Sequence, residues 1–115
     1  MKKLILIAVI LIETAAFSQN KNAKASLEVN GVCSMCKVRI EKASLNTKGV
    51  KSANWDMETH ELRLIYDARK TNLKTIEKNI VAAGHDTKNL KAADDVYKSI
   101  NGCCQYRDPA VVDAH

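Results

Sequence analysis

A change of hydrophobic period around one glycine and two cysteines constrains this chain more than any other feature. The stretch is Val29-Asn30-Gly31-Val32-Cys33-Ser34-Met35-Cys36-Lys37-Val38-Arg39-Ile40-Glu41. Before it, Leu27 and Val29 alternate with Ser26, Glu28 and Asn30, which predicts a half-buried strand of about six residues. After it, Ile40, Ala43 and Thr47 recur at helical spacing from Cys36 to about Thr47, with Arg39, Glu41 and Lys42 on the outer face. A strand–loop–helix junction of this kind can turn both sulfurs toward one point, where a soft metal ion or a disulfide fits. A thiol at a helix start lies among unpaired N–H groups that favour the thiolate, and Lys37 and Arg39 add positive charge nearby.

The periods continue to alternate down the chain. Ala53, Trp55 and Met57 on one side of the polar turn Glu58-Thr59-His60-Glu61, and Leu62, Leu64 and Tyr66 on the other, predict a β-hairpin. Leu73, Ile76, Ile80 and Ala83 predict a second amphipathic helix over 72–83, with Thr71 or Asn72 at its start. Gly49 and Gly84 are placed to end the two helices. Asp86 to Leu90 is a weaker fourth strand. The order β-α-β-β-α-β predicts an α+β, ferredoxin-like plait, an antiparallel sheet with two helices on one face. Residues 25–93 make this domain, after a leader at 19–24.

Residues 1–18 read as a signal peptide. Met1-Lys2-Lys3 is basic, Leu4 to Ile12 is an unbroken apolar run, and Ala16-Phe17-Ser18 offers small residues for cleavage. The apolar run is too short to span a bilayer, which takes about 20 residues. The expectation is export to the periplasm or another extracytoplasmic space, with no membrane anchor in the mature form. The formal net charge of +5, with one Trp, one Phe and three Tyr, argues against a nucleic-acid surface.

All four cysteines, Cys33, Cys36, Cys103 and Cys104, lie in the exported part. An oxidising compartment makes disulfides the prior expectation, and four cysteines allow three connectivities. That expectation competes with metal binding. Cys103 and Cys104 belong to a C-terminal extension over 94–115, where Val96, Tyr97 and Ile100 form an apolar strip too short to be helical unless it docks.

Gly31-Val32-Cys33-Ser34-Met35-Cys36, followed by Ile40, Ala43, Gly49-Val50 and Ala82-Ala83-Gly84-His85, resembles the heavy-metal-associated domain family, which includes copper chaperones, modules of copper-transporting ATPases and the periplasmic mercury-binding protein. The resemblance covers about Ala25 to Leu90. It implies the same βαββαβ fold, and a soft metal held between two loop cysteines and passed on by ligand exchange. It also puts His85 beside the metal loop. The chain departs from the family in having no methionine before its first cysteine, and in its cysteine-bearing extension.

The candidate ligands are therefore Cys33 and Cys36, with His85 as a third ligand and Cys103 and Cys104 as further thiolates. Two soft thiolates suit Cu(I) first, with Zn(II) and Hg(II) as alternatives. The expected protein is an exported monomeric carrier or scavenger of metal, not an enzyme. Its expected partner is a metal-transporting ATPase or another metal carrier. Two other readings stand beside it: a structural zinc module using all four cysteines, and a thiol–disulfide redox protein. Met35 is expected to face solvent or a partner, and Trp55 the core. Lys37, Lys42, Lys48 and Lys51 would form a basic fringe. His60 is expected at the end of the sheet opposite the loop, and it and His115 in solvent. If the last strand ran its full length away from the loop, the tail would start at the far end. The expectation is then that the tail thiols stay apart from Cys33 and Cys36.

Overall fold

The computed structural model describes residues 20–115; the signal-peptide reading lies outside them. Strands β1 (Ala23–Glu28), β2 (Val50–Trp55) and β3 (Glu61–Tyr66) form an antiparallel sheet in the order β1-β3-β2. Leu27 pairs with Leu62, and Trp55 also pairs with Leu62. That register puts the alternating apolar residues of all three strands on one face. Helices α1 (Ser34–Leu45) and α2 (Leu73–Ala82) pack together, α1 also against β2. Leu27, Ile40, Trp55, Leu62, Leu64, Ile76 and Ile80 make the core, while Lys24, Ser26, Ser52, Asn54 and Arg63 face outward. The plait of two helices over one sheet face is the predicted class.

Local chemistry sets the boundaries. Asn72 caps α2 by accepting from the Thr75 N–H at 2.9 Å. Gly49 and Gly84 both take positive φ, at 100° and 106°, which glycine does without strain. β2 ends at Trp55 because the Asp56 carboxylate accepts from the N–H groups of Glu58 and Thr59. Met57 therefore lies in the turn, not in the strand.

The fourth strand is reduced to one bridge, Val29 with Thr87. Two ladder-like bonds flank it, from Asn30 N–H to Asp86 C=O and from Lys88 N–H to Glu28 C=O. Side chains then take over the backbone groups a longer strand would need. Thr87 Oγ1 accepts from the Leu90 N–H at 3.1 Å, and Asp86 Oδ1 from the Ala92 N–H at 2.8 Å. The chain turns back instead of running the length of β1. Helix α3 (Asp94–Ser99), a 3-10 turn (Gly102–Cys104) and helix α4 (Pro109–Asp113) follow. Tyr97 and Ile100 are each 8% exposed, so the apolar strip docks. Among the described residues, no helix is long and apolar enough to cross a membrane.

Candidate metal centre

β1 delivers the loop, and α1 presents the cysteines. Cys33 is the N-cap of α1, with extended φ and ψ of −142° and 174°, and Cys36 lies in its first turn. Gly31 is needed for closeness: a Cβ there would come within 3.0 Å of the Cys36 Cβ and of the Trp55 indole. Trp55 fills the space under the loop, and its Nε1–H donates to the Val29 C=O at 2.9 Å. The two sulfurs stand 3.4 Å apart. Cys33 is 9% exposed and Cys36 fully buried.

The tail thiols do not stay apart. Cys104 is fully buried, its sulfur 3.0 Å from that of Cys33 and its carbonyl oxygen 3.9 Å from the Cys36 sulfur. Only a full last strand would carry the tail to the far end of the sheet. The turn at 87–92 removes it and leaves the extension at the loop end of the sheet. Cys103 is exposed, 4.0 Å from the Cys104 sulfur and 3.7 Å from Met35 Sδ. Cys33, Cys103 and Cys104 place their sulfurs within 4.8 Å of one another. All four cysteines are free thiols.

One thiol is already inclined to ionise. Burial pushes the Cys33 thiol up, but hydrogen bonds from the Cys104 thiol, from the backbone N–H and thiol of Cys36, and from the Met35 N–H outweigh it. They bring Cys33 down to about 7. Cys104 moves the other way, raised by burial and by donating its S–H toward Cys33 and Cys36. Cys33 thus accepts hydrogen bonds at the mouth of the helix, and Cys104 faces it as a donor.

His85 is fully buried beside the loop, where the resemblance put it, and both ring nitrogens are engaged. Nδ1 pairs with the Asn30 C=O at 2.8 Å, and Nε2 accepts from the Arg39 guanidinium at 3.1 Å. Burial first, and then the Arg39 charge, lower His85 to about 4 against the opposing pull of the Asn30 carbonyl. In this arrangement the ring positions the loop and offers no free nitrogen to a metal.

Other side chains depart from the sequence reading. Arg39 turns inward to His85, not outward. Lys37 is tied down by Glu41 at 2.6 Å, Asn54 at 3.0 Å and the Trp55 C=O at 2.8 Å, so it is not a free member of a basic fringe. His60 lies at the same end of the sheet as the loop. Its C=O accepts from the Val29 N–H at 2.9 Å and its ring stacks on Trp55. In this topology the β2–β3 hairpin and the β1–α1 loop share an end. His115 is exposed, its Nδ1 2.8 Å from the Val111 C=O.

The sequence reading missed the clamp that holds the tail. The Tyr106 hydroxyl donates to the Gly84 C=O at 2.8 Å and accepts from the Asp86 N–H at 2.7 Å. Its ring stacks on His85 and meets Tyr97 edge-on. Arg107 pairs with Asp86 at 2.7 Å and lies 4.1 Å over the Tyr97 ring. The apolar strip signalled docking; nothing local signalled where.

A family model described as the heavy-metal-associated domain matches residues 26–86, just over half of the chain. Three solved structures are similar. The chain is 30% identical to the CopZ metallochaperone, covering 56% of this chain and 98% of that one, with a TM-score of 0.55. It is 26% identical to oxidized MerP from Ralstonia metallidurans CH34, over 58% and 94% of the two chains, with a TM-score of 0.56. It is also 26% identical to the N-terminal domain of a potential copper-translocating P-type ATPase from Bacillus subtilis in the Cu(I)-loaded state. That match covers 70% and 98% of the chains, with a TM-score of 0.55. No curated protein matches the chain. The extension from 94 onward lies beyond the family match.

Proposed function

The chain belongs to the heavy-metal-associated domain family, and from that membership we propose that it is an exported, non-enzymatic carrier or scavenger of a soft metal ion, Cu(I) foremost. The observation that carries the reading is the Cys33–Cys36 pair, 3.4 Å apart at the start of α1, with one sulfur poised to ionise near neutral pH. Soft thiolates select Cu(I), Hg(II) or Zn(II) over hard ions. A metallochaperone and a Cu(I)-loaded ATPase domain among its structural relatives support Cu(I) and a metal-exchange partner. Met35 and Val38, 44% and 64% exposed, flank the thiols with Lys42 beside them. It is an apolar surface with a basic residue beside it, on which an acidic recipient can dock. Export rests on residues 1–18.

The test is native mass spectrometry of the reduced protein, titrated with Cu(I) and with Zn(II). One tightly held Cu(I) is expected, and Cys33→Ser and Cys36→Ser should each abolish it against a competing chelator. Undiminished affinity in both variants would refute the assignment. Three sulfurs, of Cys33, Cys103 and Cys104, lie within 4.8 Å of one another with Cys36 3.4 Å from Cys33, which favours one second reading, a structural zinc site. It requires tight Zn(II) in place of Cu(I) and a chain that unfolds when the metal is removed.

A further inference from the structure

Cys104 is fully buried, belongs to no part of the family match, and sits closer to Cys33 than Cys36 does, at 3.0 Å against 3.4 Å. Building it there takes specific structure. The 3-10 turn over Gly102–Cys104 closes with the Cys104 N–H donating to the Asn101 C=O at 2.8 Å. The Tyr106 hydroxyl and the Arg107–Asp86 pair then fasten the turn to the end of α2. A buried cysteine that served only as a small apolar filler would not need its sulfur aimed at two others.

Distance favours three sulfurs over two. At a metal–sulfur bond of about 2.3 Å, three sulfurs around one ion stand about 4 Å apart, and two in line about 4.6 Å apart. Cys33 and Cys36, at 3.4 Å, are nearer to the first arrangement than to the second. The sulfurs that all lie within 4.8 Å of one another are those of Cys33, Cys104 and exposed Cys103, and Cys36 adjoins them through Cys33 at 3.4 Å. Met35 Sδ approaches Cys103 at 3.7 Å on the outer side.

We propose that the C-terminal extension is part of the metal site. Cys104 supplies a third thiolate to the Cys33–Cys36 pair, and Cys103 is the exchange thiol through which the ion leaves. This rests on the carrier reading above and goes beyond it. Binding a monovalent soft cation replaces the S–H bonds of Cys36 and Cys104, and that of Cys33 where it is protonated, with metal–sulfur bonds and releases those protons to solvent. On exit, the Cys103 thiol loses its proton as its metal–sulfur bond forms. The Cys36–metal bond breaks, and Cys36 takes up a proton. No electron is transferred; Cys33 and Cys104 hold the ion until an incoming soft ligand of the acceptor displaces them together with Cys103, each freed sulfur taking up a proton as its metal–sulfur bond breaks. The buried set sets retention, and the exposed thiol sets the rate of handover.

The test uses the reduced full-length chain with Cu(I) presented by a chromophoric Cu(I) chelator. Cys104→Ser should weaken Cu(I) binding tenfold or more. Cys103→Ser should slow removal of the ion by excess chelator, and an unchanged rate would overturn its role in exit. X-ray absorption on the unmutated Cu(I) protein should count three sulfurs. That measurement does not depend on whether serine at 104 undocks the tail. Two sulfurs in the unmutated protein, or Cys104→Ser within twofold of it, would overturn the proposal. If the Cys33 and Cys36 variants lose Cu(I) while the Cys104 variant keeps it, the carrier reading stands and the tail ligand falls. If the unmutated chain binds no Cu(I), both fall.

Discussion

His85 and Tyr106 show what single residues contribute at this site. His85 is held neutral, at about 4 against an ordinary value near 6.5, because burial and the Arg39 charge disfavour its proton. Between those two pH values the unfolded chain carries the proton and the folded chain does not. Stability therefore falls as the pH drops from 6.5 toward 4, by up to ~3 kcal/mol from this group. Asp86 acts lower in pH. Its burial would raise the carboxyl, but Arg107 holds it below the usual range. Its contribution is present above about pH 4 and is lost below it. Urea unfolding of the metal-free reduced protein at pH 7 and pH 4.5 should show this loss, and His85→Gln should remove most of it. An equal loss in both proteins would assign the acid sensitivity elsewhere. Tyr106→Phe deletes one hydroxyl and leaves the Gly84 C=O and the Asp86 N–H without it. The expected cost is about 1–3 kcal/mol, read as a lower urea midpoint with unchanged far-ultraviolet circular dichroism.

Among the elements, the stub of the fourth strand and the tail that follows it decide the site. The carbonyl of Gly84 is fastened to Tyr106, and a Cβ on Gly84 would come within 2.7 Å of Ile100 Cγ2. Its φ of 106° is strained for any other residue. Gly84→Ala should therefore push Ile100 away and loosen the extension, at about 1–3 kcal/mol. Hydrogen exchange should then quicken over residues 94–107, while β1 and β3 keep their protection. Faster exchange through the whole sheet would show that tail and core form one cooperative unit.

Over the whole molecule, the core lies between the sheet and the two helices, and Cys33, Cys36 and Cys104 join its aliphatic and aromatic side chains. Leu62, Ile76 and Ile80 are fully buried on apolar neighbours. Leu62→Ala should cost about 2–5 kcal/mol. Stripping metal should lower the melting temperature only by the binding linkage, leaving a cooperative transition. A random-coil spectrum for the metal-free chain would instead support the zinc reading.

What the sequence determined alone is what short spacing determines. Leu27 and Val29 at period two, and Ile40 and Ala43 at helical spacing, specified β1 and α1 because alternate faces of a strand or helix must bury or expose together. Two cysteines three positions apart at that junction specified the loop pair, since a helix start brings such positions onto one turn. The third sulfur was not legible in this way. Cys104 lies 71 residues from Cys33, and its position follows from events no local period encodes. Thr87 and Asp86 spend their side chains on the backbone and cut the last strand short, Gly84 admits Ile100, and Tyr106 finds two backbone partners at the end of α2. The first are short-range bonds that leave no hydrophobic period, and the others join distant segments and exist only once the core has formed, so the tertiary structure decided that the tail closes over the cysteine loop.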